Sequence, residues 1–330
     1  MDDVHEQPAR PSGGPAPSLR RATLILNPRA RRTDPVAQAG RIARYLEARG
    51  ITVEVTIPES GAGATVAARR SADRGDDLCF AMGGDGTLRD IAQGLAHSPT
   101  ALAALPGGTV NVWAKESGLP KGLRACLDAH ITGQTVSIDL GRAGERCFIL
   151  MASVGWDAAV TERVSMQLKR RVGDWAYILK AAQMLPGLRP APVRWRSGIA
   201  TEEARAAVIV LSNTRLYGGR VRFNAGALAD DGLLDMVAVC PRNPVELVRN
   251  VAQLARSRLQ AGPSVRRAAV DDLTIETPGL AVQLDGDFAG RTPMRFQVDR
   301  LALRMRVPPG PLPAILGGPA LAGDVAGARG

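Results

Sequence analysis

The sequence predicts an α/β nucleotide-binding domain built on a parallel sheet, followed by a β-rich, sandwich-like second domain. Three observations predict it. Apolar strand-like runs alternate with amphipathic helical runs over the first third of the chain. Glycine-rich segments such as Gly83-Gly84-Asp85-Gly86-Thr87 stand between a strand and a helix. From about Thr135 the texture changes to short β-like runs broken by Gly, Pro and Asp.

The elements follow in order. Residues 1–20, rich in Pro, Gly and Ser, are expected to be a disordered tail. Ala22–Leu26 reads as a strand, Pro35–Arg49 as an amphipathic helix and Thr52–Ile57 as a second strand. Ala62–Arg74 is helical, Leu78–Met82 is a strand, and Leu88–Leu95 is helical again. Ala101–Leu105 makes a fourth strand, and a helix restarts at Val112. Sheets of this kind bind ligands beyond the carboxyl ends of their strands, where Asn27, Gly83–Thr87 and Gly107–Thr109 all fall.

The later β-like runs are Val136–Leu140, Cys147–Ser153, Ala207–Ser212, Leu234–Val239, Leu273–Glu276, Ala281–Leu284, Arg295–Val298 and Leu301–Val307. Helices interrupt them near Asp157–Met184 and Val245–Leu259. The expected units are therefore a nucleotide-binding domain over 21–138, a β-rich domain over 139–310 and a flexible tail over 311–330. The end of the second unit is free to return to the first.

The 330 residues are 45% hydrophobic and can bury a large core. A net charge of +10 and a pI near 10.3 suit an anionic partner: nucleic acid, nucleotide phosphates or an acidic membrane surface. Aromatics are only 4% and do not alternate with basic residues, and no nucleic-acid-binding module is recognisable, so nucleic acid is not expected. Cys79, Cys126, Cys147 and Cys240 are widely spaced and read as reduced core cysteines. His5, His97 and His130 have no metal-binding spacing. The first residues lack an apolar leader, and no run is long enough to span a bilayer. A cytoplasmic protein with at most peripheral membrane contact is expected.

Glycines between a strand and a helix let a ligand approach the backbone, while the helix N-terminus offers free N–H groups to an anion. Asp85 adds a carboxylate there, which makes sense beside phosphates when a divalent cation bridges the charges. An ordinary turn with Asp85 as a helix cap is the alternative. Pro106-Gly107-Gly108-Thr109-Val110-Asn111 repeats the theme, with Thr109 offering a hydroxyl and N–H to a phosphate or serving only as an N-cap. Further along come Gly155-Trp156-Asp157-Ala158, Tyr217-Gly218-Gly219, Asp230-Asp231-Gly232-Leu233-Leu234-Asp235 and Asp285-Gly286-Asp287.

This ordered set, from the strand ending in Asn27-Pro28 to the final Asp-Gly-Asp, resembles the diacylglycerol kinase catalytic-domain superfamily of lipid kinases. Within it the chain is similar to bacterial soluble kinases akin to diacylglycerol and sphingosine kinases. The resemblance spans roughly residues 21–310. It implies an active-site cleft between two domains, ATP and Mg2+ as cofactors, and a lipid substrate. By position, Asn27, Thr56, Gly83, Gly84, Asp85, Gly86, Thr87, Gly108, Thr109 and Asn111 match nucleotide-binding motifs. The resemblance makes Asp285 the general base, with Asp287 where the family usually has Glu, and Asp85 tied to a magnesium–water network. Leu228, Asp231 and Leu233 match a second, structural magnesium site, the leucines acting through their carbonyls. Val110 and Val112 flank Asn111 where many members have Gly-Asn-Asp.

On this reading a carboxylate takes the proton of an alcohol as it attacks the γ-phosphorus. No Walker A lysine is present, so loop amides and metal hold the triphosphate. Arg89 and Arg220 could assist in holding the triphosphate, with a solvated surface place the preferred reading of each. The segment Arg163–Leu188, with Lys169-Arg170-Arg171 before Trp175, Tyr177 and Ile178, is a candidate for docking on anionic headgroups at the inner face of the membrane. The helix at Val245–Leu259 is a weaker one, and a homodimer is left open. The alternatives to a lipid kinase are an NAD-kinase-like enzyme and a non-catalytic nucleotide or lipid sensor on the same fold.

Overall fold

The computed structural model describes residues 19–28, 34–163, 187–219 and 221–317. Four parallel strands open the chain: β1 (Arg21–Leu26), β2 (Thr52–Thr56), β3 (Leu78–Gly83) and β4 (Ala101–Pro106), in the order β2-β1-β3-β4. β3 is buried along its whole length and β1 and β4 over most of theirs, as their uninterrupted apolar runs require of strands covered on both faces. The helices between them are α1 (Pro35–Glu47), α2 (Gly61–Asp73) and α3 (Asp85–Leu95). Asp34 caps α1 by accepting the Val36 N–H ahead of Pro35, and Ser60 caps α2 through the Gly63 N–H. Each buries one stripe, Gln38, Ala39, Ile42 and Leu46 in α1, and Ala64, Ala67, Ala68 and Ser71 in α2. The small residues of α2 let α3 approach so closely that a Cβ on Gly94 would lie 2.3 Å from the Thr65 carbonyl.

After α4 (Val112–Glu116) and α5 (Leu123–Thr132), β5 (Gln134–Ala143) and β6 (Arg146–Phe148) begin the second part of the chain. Next come β7 (Met151–Gly155), α6 (Trp156–Arg163), β8 (Ala191–Ser197), β9 (Ala200–Ala206) and β10 (Val208–Ser212). The short β11 (Leu216–Tyr217) and β12 (Val221–Arg222) pair with each other. β13 (Leu234–Val239), α7 (Pro244–Ala255), β14 (Val265–Val270), β15 (Asp272–Ile275), β16 (Ala281–Leu284), β17 (Asp287–Arg291) and β18 (Met294–Val307) complete the fold.

β18 joins the two parts. Its last residues lie parallel to β4 through Met305 and Leu102, while its first residues pair antiparallel with β15, extending the first sheet through β15, β8 and β9. β5 runs antiparallel along β18 on its other edge. A second, six-stranded sheet has the order β14-β13-β10-β7-β16-β17. Between this sheet and the extension of the first lies a core containing Phe148, Trp195, Ile209, Leu211, Met236, Val282 and Phe296. This is the sandwich-like second domain that the β-rich texture predicts.

Several boundaries differ from expectation, each for a physical reason. The helix expected from Leu88 starts at Asp85, because Gly84 takes the extended N-cap conformation and an acidic residue suits a first turn. The single run Cys147–Ser153 is broken at Ile149 and Leu150, whose N–H groups are claimed by a carboxylate. The runs Arg295–Val298 and Leu301–Val307 are one bulged strand. The expected boundary at 138/139 falls inside β5, at the bulge where its ladder with β18 shifts register. Residues 311–317, expected within a flexible tail, pack on the protein: Ile315 is fully buried and its carbonyl accepts the Ala229 N–H. The β8–β9 hairpin went unread because charged residues such as Arg194, Arg196, Glu202 and Glu203 mask its alternation. Most of the expected helix Asp157–Met184, with Lys169–Arg171, lies outside the described residues.

Candidate active site

Two glycine turns meet at the carboxyl edge of the parallel strands. Gly83 ends β3, and its carbonyl accepts the Gly107 N–H at 2.9 Å. A Cβ on Gly108 would lie 2.6 Å from the Gly84 Cα, so the two backbones touch and a side chain on Gly108 has no room. Asn111, at φ +49°, closes the second turn by accepting the Gly108 N–H and donating to its carbonyl. Gly108 and Thr109 remain exposed at the tip. Asn27, just beyond β1, donates through Nδ2 to the Thr87 hydroxyl at 2.7 Å. Thr56 ends β2, two strands from β3 on the same edge.

Asp85 binds the two turns together. Its Oδ2 accepts the Val112 N–H at 3.0 Å and its Oδ1 the Trp113 N–H at 3.4 Å, which caps α4. The first turn of α3 then lies beside a cradle in which Gly108 leaves no room for a side chain, an arrangement that fits a phosphate group.

The Asp285-Gly286 pair makes the two-residue turn between β16 and β17, with both residues at positive φ. The turn also carries a buried acceptor set. Asp285 Oδ1 accepts the N–H groups of Leu150 and Met151 at 2.9 and 3.0 Å, and Oδ2 accepts that of Ile149 at 2.9 Å. A carboxylate offers about four lone-pair directions, so these bonds leave one, on Oδ2. Burial pushes the Asp285 carboxyl up to about 6, outweighing the nearby Arg89 charge and the three N–H groups.

Asp287 and Arg89 join this turn to the first glycine motif. A Cβ on Gly86 would lie 2.9 Å from Asp287 Oδ2, so the carboxylate stands against the first turn of α3. Arg89, expected as a solvated surface residue, is only 8% exposed. Its Nη1 donates to the Leu284 carbonyl at 2.9 Å and lies 3.3 Å from Asp287, while Nη2 pairs with Asp90 at 2.9 Å. Arg89 and Leu284 are 195 positions apart in the chain. Arg220 lies outside the described residues.

The comparisons with known proteins cover both parts of the fold that carries this assembly. The family model of the diacylglycerol kinase catalytic domain matches residues 21–143, and that of the YegS C-terminal NAD kinase beta sandwich-like domain matches 151–307. This chain belongs to the diacylglycerol kinase catalytic-domain superfamily of lipid kinases. It is 27% identical over 280 residues to a diacylglycerol kinase of Staphylococcus saprophyticus, covering 84% of this chain and 92% of that one. A Staphylococcus epidermidis diacylglycerol kinase is 29% identical over 254 residues, covering 76% and 80%. A diacylglycerol kinase structure from Bacillus anthracis superposes with a TM-score of 0.66 over 88% of this chain and 97% of that one, at 19% identity, which speaks for the fold.

In this lipid-kinase fold Leu228, Asp231 and Leu233 share one loop between β12 and β13. Asp231 Oδ1 accepts the Leu233 N–H at 3.1 Å, and Asp230 accepts the Gly317 N–H. No cluster of three His, Cys, Asp or Glu side chains occurs among the described residues. Carboxylates and carbonyls, with neither thiol nor imidazole, are the donor chemistry of a hard cation that takes its remaining ligands from water or phosphate.

Two residues escaped the sequence reading. Asp139, inside β5, is fully buried and accepts the Gly232 and Leu301 N–H groups at 2.6 and 2.7 Å, anchoring the Leu228–Leu233 loop to β18. Its signal was a charge within an apolar strand. Gln283 accepts the Gly286 N–H at 2.6 Å and reaches Asp157 Oδ2 at 3.5 Å. Asp157 is also bonded by Ser153 and Tyr217, and its burial raises its pKa. This network joins the three motifs carrying Asp157, Tyr217 and Asp285.

Proposed function

We propose that this lipid kinase transfers the γ-phosphate of ATP, in a magnesium-dependent reaction, to the free hydroxyl of a diacylglycerol-like or sphingoid lipid. One observation carries the reading: the Asp285–Asp287 turn, held by Arg89, stands directly against the first turn of α3. Asp285 is the proposed base. Its remaining Oδ2 lone pair accepts the alcohol proton as the oxygen attacks the γ-phosphorus and ADP leaves. A pKa near 6 leaves it ionised at neutral pH yet basic enough to take that proton.

Gly84, Gly86 and Thr109 present backbone N–H groups to the phosphates, Gly83 and Gly108 let the two turns lie close together, and Asn27 orients the Thr87 hydroxyl among them. Asp85 keeps the second turn against the first, and Thr56 borders the nucleotide from β2. Magnesium, when bound with the nucleotide, spreads the triphosphate charge, with Asp85 and Asp287 as the carboxylates beside it, and the loop of Leu228, Asp231 and Leu233 would hold a second, structural ion. The relatives' printed names point to diacylglycerol as the acceptor.

Purified protein incubated with ATP, magnesium and a lipid panel in mixed micelles, followed by product mass, tests this reading. A phosphorylated lipid that Asp285→Asn fails to make supports it. Phosphorylation of NAD with no lipid product would move the chain to NAD-kinase chemistry. ATP binding with neither product would make it a sensor.

A further inference from the structure

Helix α7 is apolar on two sides. Inward, Leu254 packs on the main core and Asn250 accepts the Ser264 hydroxyl at 3.2 Å. Outward, Val245, Val248 and Val251 are 77%, 68% and 39% exposed. Spaced three residues apart, they form one stripe along the helix. Arg249 and Arg256, both exposed and seven positions apart, run along one edge of that stripe. The helix has one acidic residue, Glu246, and that is buried and paired with Arg242. The outward face therefore combines an apolar strip with an edge of positive charge, on which Arg249 also donates to the Ser264 hydroxyl at 3.3 Å and lies within electrostatic reach of Glu246.

We propose that this face of α7 is a docking surface for an anionic lipid bilayer. The valines enter the boundary between headgroups and acyl chains, and Arg249 and Arg256 face anionic headgroups. Charge complementarity favours this occupant over a second copy of the chain, which would carry the same positive edge. A stable dimer also needs about 800 Å² from each partner, far more than three valines supply.

The surface is continuous with the candidate site. Just past α7, Ser257 accepts the Arg222 N–H of β12 at 3.0 Å. In the turn after β11, the Gly219 carbonyl accepts Lys115 Nζ at 3.3 Å, and a Cβ on Gly219 would lie 2.4 Å from Val110 Cγ1. One hairpin thus separates the docking helix from the second glycine turn. The inference rests on the proposed function only for the reason an enzyme with a lipid acceptor visits a membrane; binding itself is measured without turnover.

The test is co-sedimentation of the full chain with phosphatidylcholine vesicles, with and without phosphatidylglycerol. The wild type should bind the mixed vesicles and bind phosphatidylcholine alone much more weakly. Val245→Asp/Val248→Asp should lower binding to mixed vesicles on the order of tenfold or more. Arg249→Glu/Arg256→Glu should lower it by a similar factor and abolish the preference for phosphatidylglycerol. Thermal melting checks that the variants fold, and activity on a short-chain, water-soluble diacylglycerol should stay at the wild-type level. Wild-type-like sedimentation of the valine variant, or no binding by the wild type, would overturn the proposal. So would a wild-type dimer that the valine substitutions convert to monomer, which would make this face an interface between copies. If vesicles bind but no lipid is phosphorylated, the docking proposal stands and the kinase substrate reading fails.

Discussion

The guanidinium of Arg89 donates to the Leu284 carbonyl at 2.9 Å and stands 3.3 Å from the Asp287 carboxylate. One side chain of the helix after the first glycine turn thus holds both flanks of the turn that carries Asp285. Arg89→Met should remove a charge-assisted bond to a buried carbonyl and destabilise the fold by about 2–3 kcal/mol. It should also lower kcat more than it raises the KM for ATP, because the phosphate cradle does not use Arg89. Denaturant melts and steady-state kinetics measure both.

The same guanidinium sets the charge state of the base. Burial raises the Asp285 pKa and Arg89 opposes that rise, giving a value of about 6. The kcat/KM profile should therefore fall on its acid side with a midpoint near 6, and in Arg89→Met that midpoint should move to higher pH. The stability linkage has a fixed sign. A carboxyl whose folded pKa exceeds its unfolded value of 3.8 costs nothing below that value, and the cost grows until pH passes about 6. Melting temperatures of wild type relative to Asp285→Asn should accordingly decline across this window and level off above it.

The glycine turns make an asymmetric prediction. A Cβ on Gly108 would strike the Gly84 Cα at 2.6 Å, whereas one on Gly84 would make an ordinary 3.5 Å contact with the Gly108 Cα. Gly108→Ala should cost about 1–3 kcal/mol of stability through forced backbone shifts and raise the ATP KM. Gly84→Ala should be milder on both counts. Nucleotide binding by calorimetry, with melts alongside, separates the two variants.

Gln283 holds the turn from below. Its Oε1 accepts the Gly286 N–H, so Gln283→Met keeps the volume and removes that acceptor. Turnover should fall with little change in ATP affinity, and Gln283→Glu, which keeps the acceptor, should recover part of it. Unchanged turnover in Gln283→Met would remove the residue from the account.

Much of this arrangement was legible because glycine and acidic motifs announce themselves locally. Gly83–Thr87, Gly108–Asn111 and Asp285–Asp287 stand at strand ends where their backbone requirements are visible in sequence. What joins them is not local. Arg89 reads as one more arginine in a basic chain, and its burial follows only from Leu284 and Asp287 arriving with a distant hairpin. Asp139 and Gln283 sit inside strands, where a polar residue signals a buried partner without naming it. Asp85 shows the reverse case: its motif was plain, yet its carboxylate is engaged at the start of α4, which no spacing rule foretells.

Product analysis with wild-type and Asp285→Asn protein, given ATP, magnesium and diacylglycerol in mixed micelles, tests the central claim most directly. The wild type should yield a phosphorylated lipid and ADP in equal amounts, and the folded variant neither above background. Undiminished lipid phosphorylation by Asp285→Asn would contradict it, since the proton would then leave by a route that does not involve this turn.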